Sequence, residues 1–323
     1  MGTDRSWVSM DDLKASGFMP MLIVVVMLSV VVNFYVGDLA LSPFNLYRWR
    51  GITTIICIFL LISFFLDIFA SFSEIKNFKE SESGAINIRG LWKKVYTNPV
   101  NGIILITVMT FGLTSAQDLS EFYRIHIKTW YDINLWHLEA PIFYFLKDSF
   151  IDIPKIWDRI YFAYWLYLML VYCVLYRLKK FPDLAILCTS IILSYFLTRL
   201  AAIQYPTAGP AFYKPELFNL SGTISGTAQK LLIIYMKGGI PQDGFIPGTM
   251  GMPSLHIGIT VMAAWFLGRN IRWTLWLSIT WIFLIWLSTI MLGWHYVLDG
   301  VGGIVVVLIS VLATLGVLKV MRF

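Results

Sequence analysis

Charge is what this chain has least of. Only 14% of its 323 residues are Asp, Glu, Lys or Arg, against 58% that are hydrophobic. That balance excludes a soluble globular protein, which could not hide so much apolar surface, and several uncharged runs approach the ~20 residues that cross a bilayer. Cysteine is scarce as well. Cys57, Cys173 and Cys188 fall singly inside apolar runs, so they form neither a disulfide framework nor a thiolate metal site and read as small core hydrophobes. No carboxylate cluster suited to a hard cation is present, so no metal and no cofactor is expected. Internal repeats and low-complexity tails are missing too. A transporter gated by protonation would show repeated halves and ionisable residues near mid-bilayer, and this chain has neither. The net charge of +6 carries no nucleic-acid signal here, because in a membrane protein excess Lys and Arg mark cytoplasmic loops.

What is abundant is apolar sequence in pieces of spanning length. The pattern predicts an all-α integral membrane protein of about eight transmembrane helices: Met21–Val36, Thr53–Ser71, Val100–Ala116, Ile160–Tyr176, Leu184–Ile203, Pro253–Leu267, Trp273–Leu292 and Tyr296–Leu318. Residues 1–19 form a polar lead-in that could be a short surface helix, and the stretch between Phe72 and Pro99 reads as a solvated basic loop. Residues 117–158 mix charge with Tyr123, Trp130, Tyr131, Trp136, Phe143, Tyr144 and Phe145, a blend suited to helices lying at headgroup level. His126 and His137, in that segment, read as interfacial histidines without catalytic duty. Residues 204–253 hold eight Gly and six Pro, too broken for a span, and are expected outside the membrane or over a cavity. The division expected is 1–99, with two additional spans, and 100–323, a catalytic core of six. The short turns Arg177-Leu-Lys-Lys180 and Arg269 to Arg272 are basic, whereas the turn before His295 has no Lys or Arg. Both termini are therefore expected in the cytoplasm and both remaining histidines on the outer or luminal face.

Those two histidines carry the chemistry. Gly251-Met-Pro-Ser-Leu-His256 and Gly293-Trp-His295-Tyr-Val-Leu-Asp299 each put an imidazole at the edge of an apolar segment, where an ionisable group is costly and functional by default. His295 and Asp299 share a helical face, so the carboxylate can orient the ring. Pro253 and Ser254 are expected in the first turn of a helix whose free N–H groups and Ser254 hydroxyl suit a phosphate. A nucleophilic imidazole (His295), a second imidazole as acid (His256) and an orienting carboxylate (Asp299) make a phosphoryl-transfer set. Arg199, Tyr205 and Lys214 are the further candidates for phosphate contact. For Arg199 the alternative is snorkelling to the interface, for Lys214 a solvated charge, and for Ser254 a helix cap.

The same residues resemble the type 2 phosphatidic acid phosphatase superfamily. Its Pro-Ser-Gly-His motif is similar to Pro253-Ser254-Leu255-His256, with Leu at the glycine. Its Ser-Arg-x5-His-x3-Asp motif is similar to Ser288-Thr289-x5-His295-x3-Asp299, with every spacing kept and Thr replacing Arg. The first motif, Lys-x6-Arg-Pro, is only hinted at by Arg199 and Tyr205-Pro206. The departures resemble the inositol phosphorylceramide synthase branch, related to the sphingomyelin synthases. That resemblance implies a phospho-histidine on His295, a phospholipid donor and a lipid hydroxyl acceptor. The alternative is a lipid phosphate phosphatase, in which water takes the acceptor's place.

Overall fold

Proline and glycine set where several of the helices begin or end. In the computed structural model, which describes residues 17–36, 46–79, 99–127, 129–150, 153–237 and 251–321, eleven α-helices follow one another with no strand among the described residues. They are α1 (Phe18–Val36), α2 (Leu46–Lys79), α3 (Val100–His126), α4 (Asp132–Phe150), α5 (Pro154–Arg177), α6 (Phe181–Gln204), α7 (Pro210–Tyr213), α8 (Ile224–Met236), α9 (Leu255–Asn270), α10 (Thr274–Met291) and α11 (Val297–Met321). Proline occupies the first turn of α5, α6 and α7, where its missing N–H leaves no bond unmade. The Thr223 hydroxyl caps α8 by accepting the Gly226 N–H at 3.0 Å. Gly293, at φ +65°, turns the chain after α10, the conformation in which helices commonly end.

Five helical segments are long and apolar enough to cross a membrane: Ile52–Phe72, Pro154–Arg177, Phe181–Gln204, Thr274–Met291 and Val297–Lys319. Met19–Val32 and Val100–Ala116 are shorter apolar stretches, and the 16-residue α9 runs through the interior against α5, α6, α10 and α11. These eight helices lie over the eight stretches expected to span, five of them long and apolar enough to cross a membrane, in a multi-pass membrane protein. The helices outrun the apolar segments. α2 continues to Lys79 and α3 to His126, because loss of apolar character ends a span without ending a helix, and no Gly or Pro intervenes. The first part of the 117–158 segment is thus the end of α3, and the rest is α4 and the start of α5. The expected surface helix in 1–19 and basic loop in 72–99 lie mostly outside the described residues.

α9 is the centre of the packing. Its Ile257, Ile259, Ala263 and Phe266 are fully buried, with Tyr164, Phe196 and Leu175 of α5 and α6 around them. On the other side it meets α11 at glycines: a β-carbon on Gly303 would strike the Ser254 carbonyl, and one on Gly258 would strike the Gly303 carbonyl. Small residues that let two backbones touch are the usual glue of membrane helices, since lipid tails supply no hydrophobic drive between them. Polar anchors fix the ends. Arg269 and Asn270 of α9 reach Asp183 of α6, Asn270 at 2.8 Å, and Arg177 of α5 pairs with Asp67 of α2.

Candidate active site

The turn before α9 and the turn before α11 lie side by side at one end of the bundle. The Ser254 N–H donates to the Asp299 carbonyl at 2.8 Å, which ties the two turns together. The helix starts at Leu255, with Ser254 as its N-cap and Pro253 before it. Pro253 and Ser254 are therefore just outside the turn in which they were expected. The Ser254 hydroxyl does not cap the helix; it is fully buried and has no protein partner. The first-turn N–H groups of α9 have no acceptor within the helix, so amides and hydroxyl alike are left without a helical partner next to His256.

His295 is held by its Nδ1. That atom lies 2.6 Å from the Gly251 carbonyl and 3.5 Å from Asp299 Oδ2. A carbonyl can only accept, so Nδ1 carries the proton and Nε2 keeps its lone pair. The Gly251 carbonyl is thus the nearer orienting group and Asp299 the second. Asp299 is fully buried, and its Oδ2 also accepts the Tyr296 N–H at 2.8 Å. Nε2 of His295 stands 3.4 Å from Nδ1 of His256. The His256 ring is boxed in by Tyr161 and Tyr164, at 4.6 and 5.0 Å between centroids. Trp294 stacks on Tyr161 and gives its indole N–H to Ser225 Oγ.

The remaining candidates separate. Arg199 is buried near the end of α6. Tyr205 stacks on Tyr131 at 4.6 Å and accepts a hydrogen bond from Asn134. Lys214 is half-buried, 4.0 Å from Glu216 and 5.4 Å above the Tyr213 ring, a surface arrangement. Thr289, at the position of the family arginine, spends its hydroxyl on the Trp286 carbonyl at 2.7 Å. His126 and His137 are exposed on α3 and α4.

Nothing in the sequence singled out Thr207, which the structure places against the histidine turns. Its carbonyl accepts the Gly251 N–H at 2.7 Å, and a β-carbon on Gly251 would lie 2.8 Å from Thr207 Oγ1 and 3.3 Å from Asp299 Oδ2. The Thr207 hydroxyl is fully buried without a protein partner, like that of Ser254.

Three carboxylates, also unmarked in the sequence, grip the surrounding backbone. Asp132 accepts the N–H groups of Ala208 and Gly209 at 2.9 and 2.8 Å. Glu139 accepts those of Val297 and Leu298 at 2.6 and 2.9 Å. Asp158 accepts those of Ile224 and Ser225 at 2.8 and 2.9 Å. Each carboxylate satisfies two donors that no helix can. Burial pushes Asp132 and Glu139 above the usual carboxylate range, against the pull of these N–H donors, and the nearby Asp299 adds to the rise. The Tyr296 phenol, against Asp132, is raised as well, first by burial. Among the described residues no group of three or more His, Cys, Asp or Glu is placed to hold a metal ion.

The sequence profile of the PAP2 superfamily matches residues 138–313, a stretch that contains both histidine turns and Asp299. No curated protein and no solved structure matches the chain.

Proposed function

The chain belongs to the PAP2 superfamily, and on that footing we propose that it moves a phosphorylated head group, such as phosphoinositol, from a phospholipid to a lipid hydroxyl through a phospho-histidine. Membership makes it a membrane phosphatase or phosphotransferase acting on phosphate esters, in a superfamily that is generally metal-independent. The observation that carries the phospho-histidine step is the imidazole pair: a fixed tautomer leaves His295 Nε2 without a proton, 3.4 Å from the His256 Nδ1.

Nε2 of His295 attacks phosphorus, and the bond from phosphorus to the glyceride oxygen breaks. His256 gives its proton to that oxygen and diacylglycerol leaves. The lipid hydroxyl then attacks the phospho-histidine, His256 takes the hydroxyl proton, and the N–P bond breaks to return both rings to their starting states. Asp299 and the Gly251 carbonyl stabilise the positive charge that His295 gains on attack. Donors aimed where negative charge collects are the largest single contribution at such sites. Ser254, the α9 amides and Thr207, together with Arg199, Tyr205 and Lys214, are the groups proposed to supply it.

One feature favours transfer over hydrolysis. Thr289 supplies no cation where the superfamily's motif has Arg, which suits a phosphodiester with one charge better than a phosphomonoester with about 1.5 to 2. In this reading the site faces the non-cytoplasmic side with both termini in the cytoplasm, and residues 1–99 are an addition to a catalytic core in 100–323.

The test is to incubate the purified protein with phosphatidylinositol or phosphatidic acid, each with and without ceramide or diacylglycerol, and to follow the phosphate. A new phospholipid formed only with acceptor and lost in His295→Ala is the expected result. Free phosphate from phosphatidic acid without acceptor would make the protein a phosphatase. Turnover that survives His295→Ala would overturn the mechanism.

A further inference from the structure

Below the imidazole pair lies a cavity of about 440 Å³ lined by aliphatic and aromatic side chains, within the range of small-ligand sites. Its upper end is separated from the imidazole pair by the Tyr164 ring. Tyr164, which lines it, packs 5.0 Å from the His256 ring, and Ile259, also in its wall, follows His256 by about one turn of α9. From Tyr164 the lining runs down α5 to Tyr172, a descent of ~12 Å at 1.5 Å per residue. Trp165 and Leu166, in the same wall, are 48% and 60% exposed, so one side opens onto the lipid.

The far wall comes from α2 and α3, through Ile55, Ile58, Met109 and Leu113. Both helices precede the stretch that the superfamily profile matches, residues 138–313. The slot is therefore closed by a part of the chain that lies outside the superfamily match.

We infer that this cavity holds one hydrocarbon chain of the lipid substrate, and that α2 and α3 set the chain length the enzyme accepts. The inference rests on the reading of the site as one that acts on lipid phosphates. A chain hanging from a head group at His295 has to run into the bilayer, and this slot starts behind Tyr164, which packs on His256, and leads there. A slot ~12 Å long and about 440 Å³ in volume has room for a stretch of hydrocarbon chain rather than for a head group alone. Its open side lets the chain slide in from the membrane without leaving it.

The test compares phosphatidylinositol and phosphatidic acid carrying six-carbon or sixteen-carbon chains, for the wild-type protein, Ile58→Trp and Leu113→Trp. The wild type is expected to prefer the long chains. Filling the slot from either helix lowers kcat/KM for the long-chain lipid tenfold or more and leaves short-chain turnover within about threefold, which also shows that the variants fold. An unchanged long-to-short ratio in both Trp variants would overturn the inference. A phosphatidylinositol with a diazirine on its chain provides a second readout that does not need turnover. Labelling of α2 or α3 that excess sixteen-carbon phosphatidylinositol suppresses supports the slot, whereas labelling that it leaves untouched reports bulk bilayer lipid and sinks it. If neither lipid shows His295-dependent turnover, the functional reading falls, and the labelling still decides the cavity.

Discussion

Replacing Thr207 by Val separates a structural hydroxyl from a phosphate-binding one, because the two roles move stability and activity in opposite ways. The Thr207 Oγ1 is buried with no protein partner, and an unsatisfied buried hydroxyl costs about 1–3 kcal/mol. Valine fills the same space without that cost. The backbone carbonyl that holds Gly251 is untouched, so the resting protein should be as stable as the wild type or up to about 1 kcal/mol more stable. If the hydroxyl donates to the anionic phosphate, its loss costs the 1.5–3 kcal/mol of a charge-assisted hydrogen bond, roughly a 10- to 150-fold fall in kcat/KM at 1.4 kcal/mol per decade. The assay pairs thermal unfolding in detergent with initial rates of head-group transfer, and Thr207→Ser should keep both properties. Activity within twofold of wild type in the valine variant would refute the phosphate contact. Stability and activity falling together would show that the hydroxyl supports the fold instead.

Gly303→Ala should be badly tolerated, since its methyl meets the Ser254 carbonyl; lost expression or a collapse of turnover is expected, and a variant with wild-type rates would show that α9 and α11 can part freely. Glu139→Gln offers one acceptor oxygen to two N–H donors, so a stability loss of about 1–3 kcal/mol is expected, read as a lower unfolding midpoint. The pH dependence of that midpoint follows from the raised carboxyl of Glu139. Between the ordinary glutamate value of ~4.3 and the raised folded value, the native state binds more protons than the unfolded one. Stability conferred by this group therefore falls as pH rises through that window, and Glu139→Gln should show a shallower fall there. Ser254→Ala should lower kcat/KM with little change in midpoint, because the hydroxyl has no protein partner to lose.

The helices and the imidazole pair were legible because their signals are local. Spans announce themselves by composition, and His256, His295 and Asp299 stand at fixed spacings beside apolar runs, where a charge has no bland explanation. The supporting groups were not legible, because each acts on backbone far away in the chain. Glu139 grips Val297 and Leu298, 158 and 159 residues on, and inside a stretch of mixed charge it looked like any solvated acid. Thr207 sat in a Gly- and Pro-rich loop with no periodicity to show which side chains turn inward. The contacts of Tyr205 with Tyr131 and Asn134, and of Lys214 with Glu216, were likewise beyond what the sequence pattern could show.

The ion pair between Asp67 and Arg177 has a consequence for biogenesis. Asp67 lies in the apolar segment Ile52–Phe72, and its partner is 110 residues further along. At a synthesis rate of ~5–20 residues per second, α2 leaves the ribosome on the order of ten seconds before α5 can neutralise it. An aspartate at the centre of a span costs roughly 2.5–3.5 kcal/mol to insert alone, and Asp67, near the end of its span, costs a part of that. During that interval α2 is held by its apolar residues alone, with this one charge unpaired. The arrival of Arg177 then fastens it against the core and closes the far side of the apolar slot.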